Sequence, residues 1–581
     1  MKKICNHTLL VLCFAVALSS CKNNVPKEAK YIPKDAGFVL ILDPQQMQDK
    51  LQKGGISIDT LIAKIFKDES PDSKGRVHFN GVKDSAGINW GNKFFVFMTQ
   101  KTNSDKTQSS IFSVIGGLKD AAKFEAFLKK QEEHKKTEVK KEKEYSYIIT
   151  HEGAAMLAWN DEQVIMTMYN HMQKPVYDTV NMTFKKPAPA NTEAEMKMEV
   201  ARYFTQKINE SLADEKMFTD MFKEKADGYV FTSSNSSLSA LNALPFQPPK
   251  LEEFVKDNYS TSTLSFEDGK IVAKSTTYTN KLLSSVLKQY AGPTVDLSMI
   301  ENYPSQNINA IIMAAFNPEL FGGILKQMEV EGLANNFLEK TGLSSQDLYK
   351  CLKGNIAVVI SDLGMPAMGP EPQTKHDEKS MMHKHSFGKM IFNAPVGDKT
   401  SFFKVMDKAA QLGYVIKQNN VYRAGELAAS LGIYIRADEN NLIIASDSLL
   451  YAQYMAKTTK AVINKEALDR FKGKSTVFYF DIANTLNGFT KDSTGAFGYD
   501  HSLRTAKQTF KDVIGTSDNF DGNSVKATFE VRMQNEKQNS LVTLTSLITD
   551  IAVDMRLQAK KEKESEERLF PGGVPAIIRT N

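Results

Sequence analysis

Gly37-Phe38-Val39-Leu40-Ile41-Leu42-Asp43-Pro44 is an apolar run closed by Asp-Pro, and a helical pattern follows it from Gln45 to Leu51. Ala310-Ile311-Ile312-Met313-Ala314-Ala315-Phe316-Asn317-Pro318 repeats the arrangement far downstream, with a helical pattern running to Leu325. A short apolar run bounded by turn residues reads as a buried strand, and Asp-Pro or Asn-Pro takes the chain out of it. Similar openers, Tyr31-Ile32-Pro33 and Tyr303-Pro304, precede the two runs. Their recurrence points to an internal repeat.

Outward from these strands the order stays parallel. Helix starts signalled at Ser57 and at the capping box Ser344-Ser345-Gln346-Asp347 precede strands at Lys93–Gln100 and Asn355–Asp362. Each half then offers a strand and an amphipathic helix: Ile111–Leu118 and Asp120–Lys130 in the first, Lys389–Val396 and Asp398–Ala410 in the second. Asp120, Phe124 and Phe127 match Asp398, Phe402 and Val405 at a constant offset of 278. Three-strand meanders follow, Tyr145–Thr150, Ala154–Trp159 and Gln163–Met168 against Val421–Gly425, Leu431–Arg436 and Asn441–Ser446. Their last turns carry Asn160-Asp161-Glu162 and Asp438-Glu439-Asn440, residues that favour hairpin turns. Gly228–Thr232 corresponds to Thr476–Phe480, and hairpins around Asp268-Gly269 and Asp521-Gly522 close the halves. The pattern predicts an α+β fold of two similar halves, residues 31–295 and 296–555, each a mostly antiparallel sheet with helices packed on one face. Turns this short cannot carry parallel crossovers.

Between these elements lie connectors. Lys129–Glu144, with seven Lys and five Glu, reads as a solvated helix end or loop. Lys174–Asn191, with three prolines, reads as an extended connector, and residues 556–581 as a charged C-terminal tail.

The start of the chain carries a different signal. Lys2 and Lys3 precede the apolar run Leu9–Leu18, too short to span a bilayer, and small residues follow. Residues 1–20 are expected to be an export signal. Leu18-Ser19-Ser20-Cys21 resembles the lipobox of bacterial lipoproteins, in which the chain is cut before the cysteine and its thiol takes a diacylglycerol. Cys21 is the expected lipidation site, residues 21–30 a polar tether, and the partner so implied is a membrane. Lys22-Asn23-Asn24 lacks both an aspartate resembling an inner-membrane retention signal and an acidic run, which favours an outer-membrane location facing the periplasm. Cys5 and Cys13 leave with the signal and Cys21 is consumed, so Cys351 alone remains and no intramolecular disulfide can form. With +5 formal charge overall, and +3 once Lys2 and Lys3 are lost, the chain lacks the basic footprint of a nucleic-acid binder.

Together the lipobox, the Tyr-Ile-Pro-x-Asp-Ala opener at Tyr31–Ala36, the strand into Asp43 and the duplicated layout resemble a family of Bacteroidota envelope lipoproteins. These carry one domain of unknown function over nearly their full length. The resemblance covers about residues 25–555 and implies location and fold, with no catalytic residues to carry over.

Candidate chemistry is sparse. Ser285-Val286-Leu287-Lys288, Lys340-Thr341-Gly342 and Ser517-Asp518-Asn519 fit the three motifs of penicillin-binding enzymes, but in the wrong order, and Gly342 sits where a helix ending at Glu339 wants a glycine C-cap. Met365, Met368, His376, Met381, Met382, His383 and His385, within 365–385, form the one cluster with soft-metal ligand chemistry, and read as a polar loop. Cys351 reads as a small core residue, Trp90 and Trp159 as core or sheet-face residues, and the acids of the two turns as turn formers. No cofactor, catalytic or metal site is expected. The expected function is non-catalytic: a lipid-anchored envelope protein that binds or scaffolds another envelope component. The alternatives are a glycan- or lipid-binding protein with a cleft between the halves and, last, an unrecognised hydrolase.

Overall fold

A computed structural model describes residues 25–569 apart from 66, 68–80, 84, 103–107, 131–137, 151–154, 172–175, 179–182, 186–191, 242–246, 365–387, 458 and 491–499. Cys21 and the Met/His stretch 365–385 lie outside the described residues. Two compact units emerge, the described parts of 1–43 with 84–232, and of 44–83 with 233–581.

The first unit holds β1 (Phe38–Leu42), β2 (Phe94–Thr102), β3 (Gln108–Gly117), β4 (Lys140–Lys141), β5 (Ser146–Thr150), β6 (Ala155–Trp159), β7 (Gln163–His171), a separate hairpin of β8 (Val176–Asp178) and β9 (Thr183–Lys185), and β10 (Gly228–Ser233). Its sheet is antiparallel throughout, in the spatial order β10-β1-β2-β3-β7-β6-β5-β4. The apolar run that opens the sequence is β1, held between β10 and β2, with Val39 and Ile41 fully buried. Pairing on both edges satisfies the backbone of β1, while its apolar side chains answer to the faces, Val39 and Ile41 fully buried on one and Phe38, Leu40 and Leu42 part-buried on the other.

The second unit holds β11 (Tyr259–Glu267), β12 (Lys270–Tyr278), β13 (Ile308–Ala315), β14 (Asn355–Ser361), β15 (Lys389–Pro395), β16 (Val415–Gln418), β17 (Val421–Ala424), β18 (Tyr434–Ala437), β19 (Asn441–Ala445), β20 (Thr476–Phe480), β21 (Phe510–Ser517) and β22 (Ser524–Met533). Their order is β11-β12-β22-β21-β20-β13-β14-β15-β19-β18-β17-β16, again antiparallel at every pairing. Read from β20 to β16, this order reproduces the first unit's from β10 to β4, strand for strand. The fold is α+β with two similar halves.

Three features lie outside the sequence pattern. Hairpin β11–β12, from the first half, joins the second unit by pairing β12 with β22, Lys270 opposite Arg532 and Tyr278 opposite Ser524. Residues 44–83 also belong to that unit, and a helix Ser540–Leu569 runs through position 556. The Lys174–Asn191 connector contains the small β8–β9 hairpin.

Side-chain alternation sets the layers. Ile148 and Trp159 pack with Phe124 and Leu128 of the helix Ala121–Lys130, which is the expected helical layer. Their neighbours Tyr147, Met156 and Ala158 point the other way, onto Met196 and Val200 of the helix Thr192–Thr205. In the second unit Phe402 and Met406 of the helix Lys399–Gln411 pack on Tyr422 and Ala437, in the place of the helix Ala121–Lys130. Asp120 and Asp398 cap these two helices alike: Asp120 Oδ1 accepts from the Lys123 N–H at 2.9 Å and Asp398 Oδ1 from the Ser401 N–H at 2.8 Å.

Candidate functional site: a polar cleft where the tether enters the fold

Residues 27–30, which the sequence assigns to the polar tether, are instead packed, with Glu28 and Ala29 buried. Pro26 caps a short 3-10 helix, Lys27–Tyr31, and Ala29, Tyr31 and Ile32 are buried. Beside this entry the first unit has a cleft of about 550 Å³, within the size range of small-ligand sites. Its walls come from the entry segment (Pro26, Lys27, Glu28), the loop into β2 (Asn89, Gly91, Asn92, Lys93), the end of β3 (Leu118) and the β6–β7 turn (Asp161, Glu162, Gln163).

Hydrogen bonds fix the walls. Asn89 shapes the loop: its Oδ1 accepts from the Gly91 N–H at 3.2 Å, and its Nδ2 donates to Asn92 Oδ1 at 3.1 Å. Asn92 Nδ2 in turn donates to Glu28 Oε1 at 3.1 Å, so the loop holds a carboxylate that is only 4% exposed. Gly117 leaves room for this, since a Cβ there would meet Asn92 Nδ2 at 2.4 Å. In the turn, Asn160 Oδ1 accepts from the N–H groups of Glu162 (3.0 Å) and Gln163 (2.9 Å), while Asn160 Nδ2 donates to Tyr31 Oη at 3.3 Å. That last bond ties the turn to the entry segment.

Charge in the cleft is unbalanced. Lys93 pairs with the buried Asp43, which neutralises it. Glu28, Asp161 and Glu162 remain, against Lys27, and the side chains of Asp161, Glu162 and Lys27 have no partner among the described residues. Gln163 is 2% exposed, and its Oε1 is buried without a hydrogen-bond partner. A buried acceptor left unsatisfied costs roughly 1–3 kcal/mol, a cost borne inside the wall, since this oxygen has almost no accessible surface.

The sequence-derived candidates fall elsewhere and are satisfied locally. Ser285 Oγ donates to the Leu282 carbonyl within the helix Lys281–Gln289. Gly342, at φ +79°, closes the helix Glu331–Glu339, and Ser517 Oγ donates to the Asp518 carbonyl at the end of β21. No hydrogen bond joins these motifs among the described residues. Cys351 is half-buried against the cluster of Phe402 and Tyr422, its Sγ–H donates to the Leu348 carbonyl, and burial raises its thiol pKa. Trp159 is core, as expected; Trp90 is not. It sits in the turn before β2, 42% exposed, with its ring 5.5 Å from that of Phe94, because the loop that Asn89 folds turns it outward. Asp161 and Glu162 do lie in a turn, as their residue types predict, and they also face the cleft. Sequence reading missed Glu28, Asn89, Asn92 and Gln163. Their one visible signal was the polarity of the segments flanking the strands.

No family model matches the chain, and no curated relative is found. Two solved structures are similar, crystal forms IV and I of TP0453, each with a TM-score of 0.22 at 8% identity. Form IV covers 44% of this chain and 81% of that one, and form I 47% and 88%. A likeness at that score carries neither fold nor function. Among the described residues, no helix is long and apolar enough to cross a membrane and no group of His, Cys, Asp and Glu could hold a metal ion.

Proposed function

We propose that the chain is a non-catalytic, lipid-anchored protein of the cell envelope, held at the outer membrane through acylated Cys21 and binding or scaffolding another envelope component. The observation that carries this reading is Leu18-Ser19-Ser20-Cys21 directly after a signal-like apolar run. A cysteine thiol can hold diacylglycerol as a thioether, and more than one acyl chain is needed for stable anchoring. The family resemblance supports the same location. Local engagement of Ser285, Lys340-Thr341-Gly342 and Ser517 supports a binding role over acyl-transfer chemistry.

Metabolic labelling with radioactive palmitate tests it. The exported chain is expected to take the label and to fractionate with the envelope, and Cys21→Ser to lose the label and appear in the soluble fraction. An unlabelled chain, or a Cys21→Ser variant still fixed to the envelope, would overturn the reading.

A further inference from the structure

We propose that the outer edge of β16 is an interface between two copies of this chain, β16 pairing antiparallel with its own counterpart about a two-fold axis at Ile416. The backbone leads there first. Among the described residues β16 pairs with β17 alone, and Asn419 and Asn420, at φ +49° and +62°, form the tight turn that fixes this hairpin. Bonded and non-bonded pairs alternate along an antiparallel ladder. The Gly425 N–H donates to the Tyr414 carbonyl at 3.0 Å, so Ile416 is the next residue to face β17, while Val415 and Lys417 turn their N–H and C=O groups to the outer edge. No described residue hydrogen-bonds to those groups. The matching edge of the first unit is guarded: β4 is only Lys140 and Lys141, both exposed, a short charged strand that discourages pairing. β16 is four residues long, and its one lysine is engaged within its own unit, Lys417 Nζ meeting Asp407 Oδ1 of the helix Lys399–Gln411 at 2.7 Å.

The side chains make this edge complementary to itself. Val415 and Lys417 lie on the face that carries the helix Lys399–Gln411, and Tyr414, Ile416 and Gln418 on the other. An axis through Ile416 sets Val415 opposite Lys417 of the second copy, where the outward N–H and C=O groups meet as a bonded pair on each side, and Ile416 opposite itself between them. An axis through Lys417 would set two lysines face to face, so charge selects the Ile416 register. Leu412 precedes the strand, and Leu427 and Leu431 stand on the helix Glu426–Ser430 and at its end, just beyond the Gly425 that bonds to Tyr414. These three leucines, Tyr414 and Ile416 are each between 46% and 66% exposed. Large apolar side chains about half bare, at roughly 100 Å² each, give about 500 Å² per copy and about 1,000 Å² for the pair, the area at which specific interfaces begin.

The test uses the full mature chain carrying Cys21→Ser, so that acyl chains do not associate, in sedimentation velocity at about 50 μM, which suits an interface of modest area. The parent is expected to sediment as a dimer. Ile416→Lys sets two charges face to face on the axis, and Lys417→Pro deletes an outward N–H while sparing the bonds to β17. Each is expected to raise the dissociation constant about tenfold or more. Phe337→Lys, at an exposed phenylalanine of the helix Glu331–Glu339, is expected to dimerise as the parent does, and circular dichroism checks that all variants are folded. Mild oxidation of Ile416→Cys reads the register: a non-bonded antiparallel pair has its Cα atoms about 4.5 Å apart, within disulfide reach, so this variant is expected to become a covalent dimer. Asn419→Cys, away from the axis, is expected to stay uncrosslinked. A monomeric parent, a dimer that both Ile416→Lys and Lys417→Pro leave intact, or crosslinking of Asn419→Cys in place of Ile416→Cys would overturn the inference. None of these results depends on the lipid anchor, which palmitate labelling judges separately.

Discussion

The turn Asn160–Gln163 of the first half and the turn Asp438–Asn441 of the second share one hydrogen-bonding pattern and differ in charge balance. In each, one Oδ1 accepts two backbone N–H groups: from Glu162 and Gln163 in the first, and from Asn440 and Asn441, at 2.9 and 3.2 Å, in the second. Each turn also offers a carbonyl to the neighbouring strand end, Glu162 to the Leu118 N–H at 2.7 Å and Asn440 to the Val396 N–H at 2.8 Å. The second turn then neutralises its acids, Arg436 Nε reaching Asp438 at 2.9 Å and Lys399 reaching Glu439 at 2.8 Å. Asp161 and Glu162 are left without such partners beside a cleft. One copy of the motif carries its own counter-charges, and the other leaves two exposed carboxylates unpaired among the described residues.

The hairpins extend the contrast and give its largest expected effect. β21–β22 is stitched by Arg532, whose buried guanidinium meets both oxygens of buried Asp512 at 2.5 and 2.6 Å, whereas β11–β12 has Ser260 and Ser275 hydroxyls 3.2 Å apart. Removing one member of a buried pair strands the other charge, so Arg532→Ala is expected to lower stability in a denaturant titration by about 3–5 kcal/mol. Ser260→Ala, which takes a partner from the half-buried Ser275 hydroxyl and the exposed Thr277 hydroxyl, is expected to cost about 1 kcal/mol or less. Equal losses would break the contrast.

Cap removal comes next. Asp438→Ala takes a charged acceptor from two N–H groups and from Arg436, and an expected cost of about 2 kcal/mol should exceed the roughly 1 kcal/mol of Asn160→Ala. Thermal and denaturant unfolding of the pair would sharpen the difference or erase it.

Acid should separate the turns without mutation. Burial opposes ionisation of Asp438, yet the Asn440 N–H, the Arg436 guanidinium and the Asn441 N–H together hold its carboxyl below the usual aspartate range. A lowered folded pKa contributes stability that is present above the unfolded value, about 3.9, and is lost as pH falls through the folded value. Asn160 does not titrate in this range. Hydrogen-exchange protection at Asn440 and Asn441 is therefore expected to drop below about pH 4 relative to that at Glu162 and Gln163. The smallest effect is Lys399→Ala: its pair with Glu439 is exposed on both sides, and a stability change within about 0.5 kcal/mol is expected.

Much of the fold was legible because the repeat is local. The capping box at Ser344, the helix end at Glu339 with Gly342, and the matched Asp120 and Asp398 caps each depend on residues a few positions apart. What the sequence hid is long-range. The placing of β7 beside β3, ahead of β6, follows from which faces bury side chains. The transfer of β11–β12 and residues 44–83 to the second unit depends on pairings such as β12 with β22, which no spacing announces. The cleft was hidden for the same reason: Glu28, Asn92 and Gln163 come from three distant segments and converge only when β2, β3 and β7 pair. Trp90 misled because a large aromatic usually belongs inside, and only the folded Asn89 loop shows otherwise.

The most direct measurement is the amide-exchange protection of both turns in the folded chain, compared at about pH 7 and at about pH 3. Lost protection at Asn440 and Asn441 at the lower pH, and unchanged protection at Glu162 and Gln163, is the predicted result. Matching changes in both turns, or none in either, would contradict the claim that a neutral amide holds the first-half turn and an ionised, paired carboxylate its counterpart.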